Sequence, residues 1–157
     1  MTSLAWAEIS LEAIQHNLNI AKNAAPRAKV MAAIKADAYG HGALKVAHSL
    51  SEADAFAVAR IEEGIELRLN GINKDIIVLS GVTQPEHFSA CHHHNLTAVI
   101  HNIHTCRQLS DFSQTLSIWL KIDTGMHRLG ISSEECNEAM QLLRKQSNIT
   151  LQGVMSH

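Results

Sequence analysis

Six short apolar runs rich in β-branched residues punctuate the chain: "KVMAAIKA", "AFAVAR", "DIIVLSG", "LTAVIH", "LSIWLKID" and "ITLQGVMSH". Segments with helical spacing separate them: "GALKVAHSLSEA", "IEEGIELRLNG", "QPEHFSACHHH", "NIHTCRQLSDF" and "SEECNEAMQLLRKQ". Strands alternating with helices build βα units and a parallel sheet. Strand ends recur about every 20 to 25 residues through the first five, with a longer gap before the sixth. That even period favours a (β/α)8 barrel of the TIM type over a doubly wound sheet. A closed barrel takes eight strands and about 250 residues. With six strands in 157 residues, the expectation is an incomplete barrel.

Local patterns agree with this reading. Ser132 and Glu135 fit a capping box, and behind them Cys136, Ala139, Met140 and Leu143 fall on one helical face. Another helix precedes the first strand, with Ser10 as its cap and Leu11, Ile14, Leu18 and Ala21 as its apolar stripe. "AWAEI" before it alternates as a short strand does. On the fifth strand Leu116, Ile118, Leu120 and Ile122 share one face, suited to lie under helices. Ser117, Trp119, Lys121 and Asp123 share the other, which points into a barrel.

Composition narrows the function classes. A hydrophobic content of 46% with 18% charge describes an ordered globular protein. A net charge of -2 gives no electrostatic reason for nucleic acid or anionic membrane as a partner. The N-terminus "MTSLAWAEIS" lacks a basic n-region, and no apolar run approaches the ~20 residues of a membrane span. Cys91, Cys106 and Cys136 are too scattered for a disulfide framework, so a cytoplasmic location is expected.

Lysines mark the rim. In such barrels the C-terminal strand ends build the active site. Lys35 ends the first strand and Lys121 stands near the end of the fifth, with Tyr39 and Arg128 following them. A single lysine there could simply run its stem along the sheet and reach water. Two at one rim point to chemistry. A neutral lysine amine forms a Schiff base with a carbonyl, and burial lowers its pKa from about 10.4. Pyridoxal phosphate is the commonest aldehyde cofactor of this kind. Gly40 and Gly42 allow a sharp turn, and Tyr39 offers a hydroxyl to a phosphate.

Two other motifs read as structure. "DTG" at 123 to 125 matches aspartic proteases, but those are all-β proteins and Met126 follows here. "CHHH" at 91 to 94 offers metal ligands, yet adjacent helical residues diverge, so no metal site is expected. The cysteines read as packing residues.

"IKADAYGHG" resembles the pyridoxal-phosphate attachment motif of alanine racemases, "LKIDTGMHRLG" resembles their second signature, and "GVMSH" resembles the end of a strand carrying a cofactor-contacting histidine. The matches run in order across essentially the whole chain. The resemblance implies interconversion of L-alanine and D-alanine, supplying D-alanine for peptidoglycan, with pyridoxal 5'-phosphate as cofactor. It implies Lys35 as cofactor attachment site and one-face proton carrier, Tyr39 as phosphate contact and His157 beside the pyridine ring. Arg128 would orient both the ring phenolate and the substrate carboxylate, and Lys121 would be open to carbamylation and brace that arginine. Asp37 and His41 are expected to serve turn bonding alone. The family is dimeric, and its second proton-transfer tyrosine comes from a C-terminal β domain across the dimer. Here Tyr39 is the sole tyrosine. Residues 1–157 thus read as the N-terminal part of the barrel domain, without the barrel's last strands or the β domain, and are expected to be inactive alone. The alternatives are a non-catalytic cofactor-binding or unstable fragment, and a related serine or broad-specificity racemase.

Overall fold

Each of the six apolar runs forms a strand in the computed structural model, which describes residues 5–157. The strands are β1 (Met31–Ala33), β2 (Ala55–Val58), β3 (Asp75–Val78), β4 (Thr97–Ile100), β5 (Leu116–Lys121) and β6 (Ile149–Met155). All pair in parallel and in chain order, β1-β2-β3-β4-β5-β6. This is the strand order of a barrel wall, open between β1 and β6. Helices α1 (Leu11–Ala24), α3 (Ala43–Ser49), α4 (Ile61–Leu69), α5 (Pro85–His93), α6 (Ile103–Gln108) and α7 (Cys136–Arg144) alternate with the strands. Between β1 and α3 lies a single helical turn, α2 (Lys35–Gly40).

The core lies between the sheet's outer face and the helices. Phe56, Ile76, Val78, Ala98, Ile100, Ile118 and Leu120 pack from the strands; Val46, Leu67, Phe88, Cys91, Cys106, Ala139 and Leu143 meet them from the helices. Burying each large apolar side chain contributes about 1.5–3 kcal/mol. The β5 alternation follows the pattern of its sequence: Leu116, Ile118 and Leu120 are buried, while Ser117 and Trp119 are half-buried on the other face. Inside the wall the Trp119 ring lies over Gly153, its register partner on β6. A Cβ on Gly153 would come within 2.6 Å of that ring, so the close approach requires glycine.

Helix ends follow their local chemistry. Ser10 caps α1 by accepting the Ala13 N–H at 3.1 Å, and Asn102 caps α6 by accepting the Thr105 N–H at 2.8 Å. Ser132 and Glu135 exchange the reciprocal bonds of a capping box, and regular helix begins just after them at Cys136. Arg68 is a larger anchor. Its guanidinium donates to the carbonyls of Ile72, Lys74, His94 and Asn95, tying the loops before β3 and β4 together. Burial lowers its pKa, which the nearby Asp75 carboxylate partly offsets.

Three sequence expectations change. "AWAEI" forms no strand, and Trp6 within it is 85% exposed; residues 1–4 lie outside the described part. Ala21 is exposed, so the α1 stripe ends at Leu18. β1 is shorter than its apolar run because the ladder to β2 ends with the Ile34 N–H on the Ala57 carbonyl, at 2.9 Å. Among the described residues no helix is long and apolar enough to cross a membrane.

Candidate active site

Lys35 does not continue the strand; it opens α2, and α2 is left-handed. Ala36, Asp37, Ala38 and Tyr39 have φ of 51°, 54°, 52° and 55° with ψ between 38° and 52°. Residues with a Cβ reach this region at a cost of roughly 1–2 kcal/mol each. Four in succession therefore need specific support. The Ala38 N–H donates to the Ile34 carbonyl at 2.9 Å and the Gly42 N–H to the Asp37 carbonyl at 3.0 Å. Asp37 Oδ1 accepts the Ala43 N–H at 2.7 Å, and His41 Nδ1 lies 2.8 Å from the Ala38 carbonyl. Asp37 and His41 thus do the turn bonding expected of them. Ala38 is buried under the turn, and the Ala36 N–H donates to Glu63 Oε1 at 2.7 Å.

The other rim lysine owes its surroundings to a loop. After β5 the chain leaves at Ile122 and returns at Ile131, where the two residues bridge in parallel. The Ile131 N–H donates to the Lys121 carbonyl at 2.8 Å, and the Asp123 N–H to the Ile131 carbonyl at 3.0 Å. Gly130 sits in the neck at φ 147°, where a Cβ would overlap the Asp123 nitrogen and lie 2.7 Å from the Ile122 carbonyl carbon. Asp123 Oδ1 accepts N–H bonds from Gly125 at 2.9 Å and His127 at 3.1 Å, while its Oδ2 lies 3.3 Å from His127 Nδ1. These bonds, the Gly125 N–H foremost, hold the Asp123 carboxyl below its usual pKa. Asp123 is therefore a loop anchor.

Lys35, Lys121, Arg128 and His157 line one cleft of about 580 Å³ at the C-terminal ends of the strands. Met31, Leu79, Trp119, Leu129 and Met155 give it apolar walls, and among the described residues no acidic side chain lines it. Lys121 is 6% exposed, and among the described residues the ion pairs are Arg107–Glu138 and Asp123–His127, so neither Lys121 nor Arg128 is paired. A cationic, acid-free cleft within the usual ligand-pocket size suits a small anionic ligand with an apolar ring. To such a ligand the lining offers an amine at Lys35 and a guanidinium fork at Arg128. Tyr39 stands apart, 60% exposed and outside the cleft lining.

Two structural features escaped sequence reading. Glu63 and Arg68 bind through contacts to distant backbone, although Glu63 at the third position of α4 carried a capping signal. "CHHH" diverges as its helical spacing requires: Cys91 is buried, His92 Nδ1 meets the Thr115 carbonyl at 2.8 Å, and His93 and His94 touch edge to face. Among the described residues no three His, Cys, Asp or Glu side chains converge as a metal site would need.

Comparison with known proteins places this arrangement in context. The family described as "Alanine racemase, N-terminal domain" matches residues 9–157. Alanine racemase of Haemophilus influenzae is 41% identical over 157 residues, covering 98% of this chain and 44% of that protein. The Pasteurella multocida alanine racemase is 40% identical with the same coverage. The solved alanine racemase of Clostridium difficile superposes with a TM-score of 0.88 at 37% identity, over 100% of this chain and 45% of its own. The biosynthetic alanine racemase of Pseudomonas aeruginosa gives 0.86 at 34% identity, over 94% and 42%. The chain spans less than half the length of these relatives. The family match and the superpositions both cover nearly the whole chain, and the chain therefore belongs to the alanine racemase family, through its N-terminal domain.

Proposed function

We propose that residues 1–157 are the N-terminal part of a racemase barrel domain whose cleft takes pyridoxal 5'-phosphate and alanine, interconverting the L and D forms. The observation that supports it is the convergence of Lys35, Lys121, Arg128 and His157 on one acid-free cleft. When bound, the cofactor supplies an electron sink that makes an amino acid's Cα–H acidic. Lys35 would hold the cofactor through Nζ, and that amine would carry the Cα proton on one face of the substrate. The planar Arg128 fork would orient the substrate carboxylate and the ring phenolate. Lys121, buried and without a carboxylate partner, would on carbamylation become an anion that braces Arg128. His157 would pack beside the ring, while Tyr39, outside the cleft lining, would meet the phosphate only from the rim. Trp119, Leu79, Leu129 and Met155 would give the reacting carbon apolar surroundings.

The likeness to alanine racemases supports a finer reading. The full-length protein works in the cytoplasm as a homodimer, its product D-alanine serves peptidoglycan, and the opposite-face proton comes from a tyrosine outside these residues. The test is conversion of D-alanine to L-alanine by the full-length protein with pyridoxal phosphate, followed by chiral chromatography. Conversion that a Lys35→Ala substitution lowers by three orders of magnitude or more is expected. An equally active Lys35→Ala protein, or one acting on serine in place of alanine, would contradict the reading.

A further inference from the structure

The Glu63 carboxylate uses both oxygens on two separate strand ends. Oε2 accepts the Ala59 N–H at 2.6 Å and the Arg60 N–H at 3.0 Å, where β2 passes into α4. Oε1 accepts the Ala36 N–H at 2.7 Å, one residue beyond Lys35 and 27 residues away in sequence. A first-turn carboxylate on its own helix cap is ordinary. A third bond to another loop is not explained by capping.

That third bond falls where the backbone most needs a partner. Ala36 is the first residue of the left-handed turn, and the last sheet bond of its strand is made by Ile34, two residues earlier. Ala36 N–H therefore points away from the β1–β2 ladder, and Glu63 is what receives it. The Ala59 N–H, held by the same carboxylate, belongs to a residue that lines the cleft with Lys35. We propose that Glu63 is a positioning residue for the reactive lysine: it locks the left-handed turn to the end of β2, fixing where Lys35 Nζ enters the cleft. Glu63 touches neither cofactor nor substrate. It acts through the backbone on either side of the cleft's mouth.

The inference rests on the reading of Lys35 as the attachment site, and the experiment keeps the two apart. In the full-length protein, Glu63→Gln keeps the side chain's size but removes the anion that three N–H groups share. Glu63→Asp keeps the anion on a stem one methylene shorter, near enough to cap α4 but too short to reach Ala36 as well. Each purified apoprotein is titrated with pyridoxal phosphate by absorbance, its thermal midpoint is measured, and Glu62→Gln on the exposed neighbour serves as control. Expected is a rise of tenfold or more in the apparent Kd of the lysine-bound chromophore for both Glu63 variants. For Glu63→Asp the thermal midpoint stays close to that of the parent. Racemisation kcat should fall in parallel, with the KM for alanine little changed. If the parent itself fails to attach the cofactor at Lys35, the functional reading fails. If the parent attaches it and both variants bind equally well, the positioning role is wrong. Affinity that falls only in step with the thermal midpoint, or failure of both variants to fold, would make Glu63 a folding residue and also overturn the proposal.

Discussion

The Ile131 N–H donates to the Lys121 carbonyl at 2.8 Å, and this bond turns the loop carrying Arg128 back onto the rim where Lys121 stands. Seven positions separate the two cationic residues in sequence, yet they line one cleft because the loop is closed at its neck. The neck is built of backbone. Whatever loosens it moves Arg128.

Gly130→Ala tests the neck. The added Cβ meets the Asp123 and Ile122 backbone at a φ that side chains disfavour, so this substitution should cost about 1–3 kcal/mol. A lower urea midpoint with an unchanged slope is the expected result. An unaltered midpoint would show that the neck is not tight.

Arg128→Lys keeps the charge and loses the fork. Losing a charged bidentate hydrogen bond costs roughly 1.5–3 kcal/mol, so turnover in the full-length protein should fall about tenfold to a hundredfold. Arg128 is exposed, and its thermal midpoint should barely move. Unchanged kinetics would reduce Arg128 to a surface cation.

Asp123 makes the loop acid-sensitive. Its folded pKa is depressed, first by the Gly125 N–H and next by the His127 N–H. The sign follows from linkage: the contribution is fully present above the unfolded value of 3.8 and is lost as pH falls through the lower folded value. Amide exchange at Gly125 and His127, compared between pH 5 and pH 2.5, should show loss of protection at the acid end. Asp123→Asn should flatten that dependence; an identical acid profile would refute the anchor.

Cys91 and Cys106 should resist alkylation. Burial pushes both thiols up to about 12, with Glu135 and Glu138 adding to the effect at Cys106. At pH 8.5 iodoacetamide should label the half-buried Cys136 first, as read by peptide mass spectrometry. Because the folded values are raised, their stabilising contribution is complete below the unfolded value of 9.0 and is lost as pH rises toward about 12. Prompt labelling of Cys91 in folded protein would contradict the packing.

The parallel sheet was legible because β2, β3 and β4, buried on both faces, leave near-continuous apolar runs, and the rim was legible because lysine and arginine at strand ends are conspicuous. Asp37 and His41 were legible as turn residues for a similar reason: their bonds are local. The left-handed turn was not. Its residues are Ala, Asp, Ala and Tyr, none a glycine, and its support comes from Glu63 on the next strand's helix. Arg68 eluded the sequence likewise, since its partners are carbonyls of two loops. "AWAEI" shows the converse error: alternation suggests a strand, but a strand needs a neighbour, and residues 5–9 form none.

Residues 1–157 expressed alone should not racemise alanine at a useful rate. On the proposed reading Lys35 would serve one face of Cα; these residues hold no second tyrosine, and water lacks the advantage of a positioned group. Among the described residues both sheet edges, β1 and β6, lack a further strand, which invites association. Turnover matching the full-length protein, from uncontaminated material, would be incompatible with this account.

The attachment site is the central claim, and borohydride trapping measures it directly. The full-length protein is incubated with pyridoxal phosphate, reduced, digested and mapped by mass spectrometry. The account predicts the pyridoxyl label on Lys35, at the head of the left-handed turn. A label on Lys121 or Lys45, with Lys35 unmodified, would contradict it.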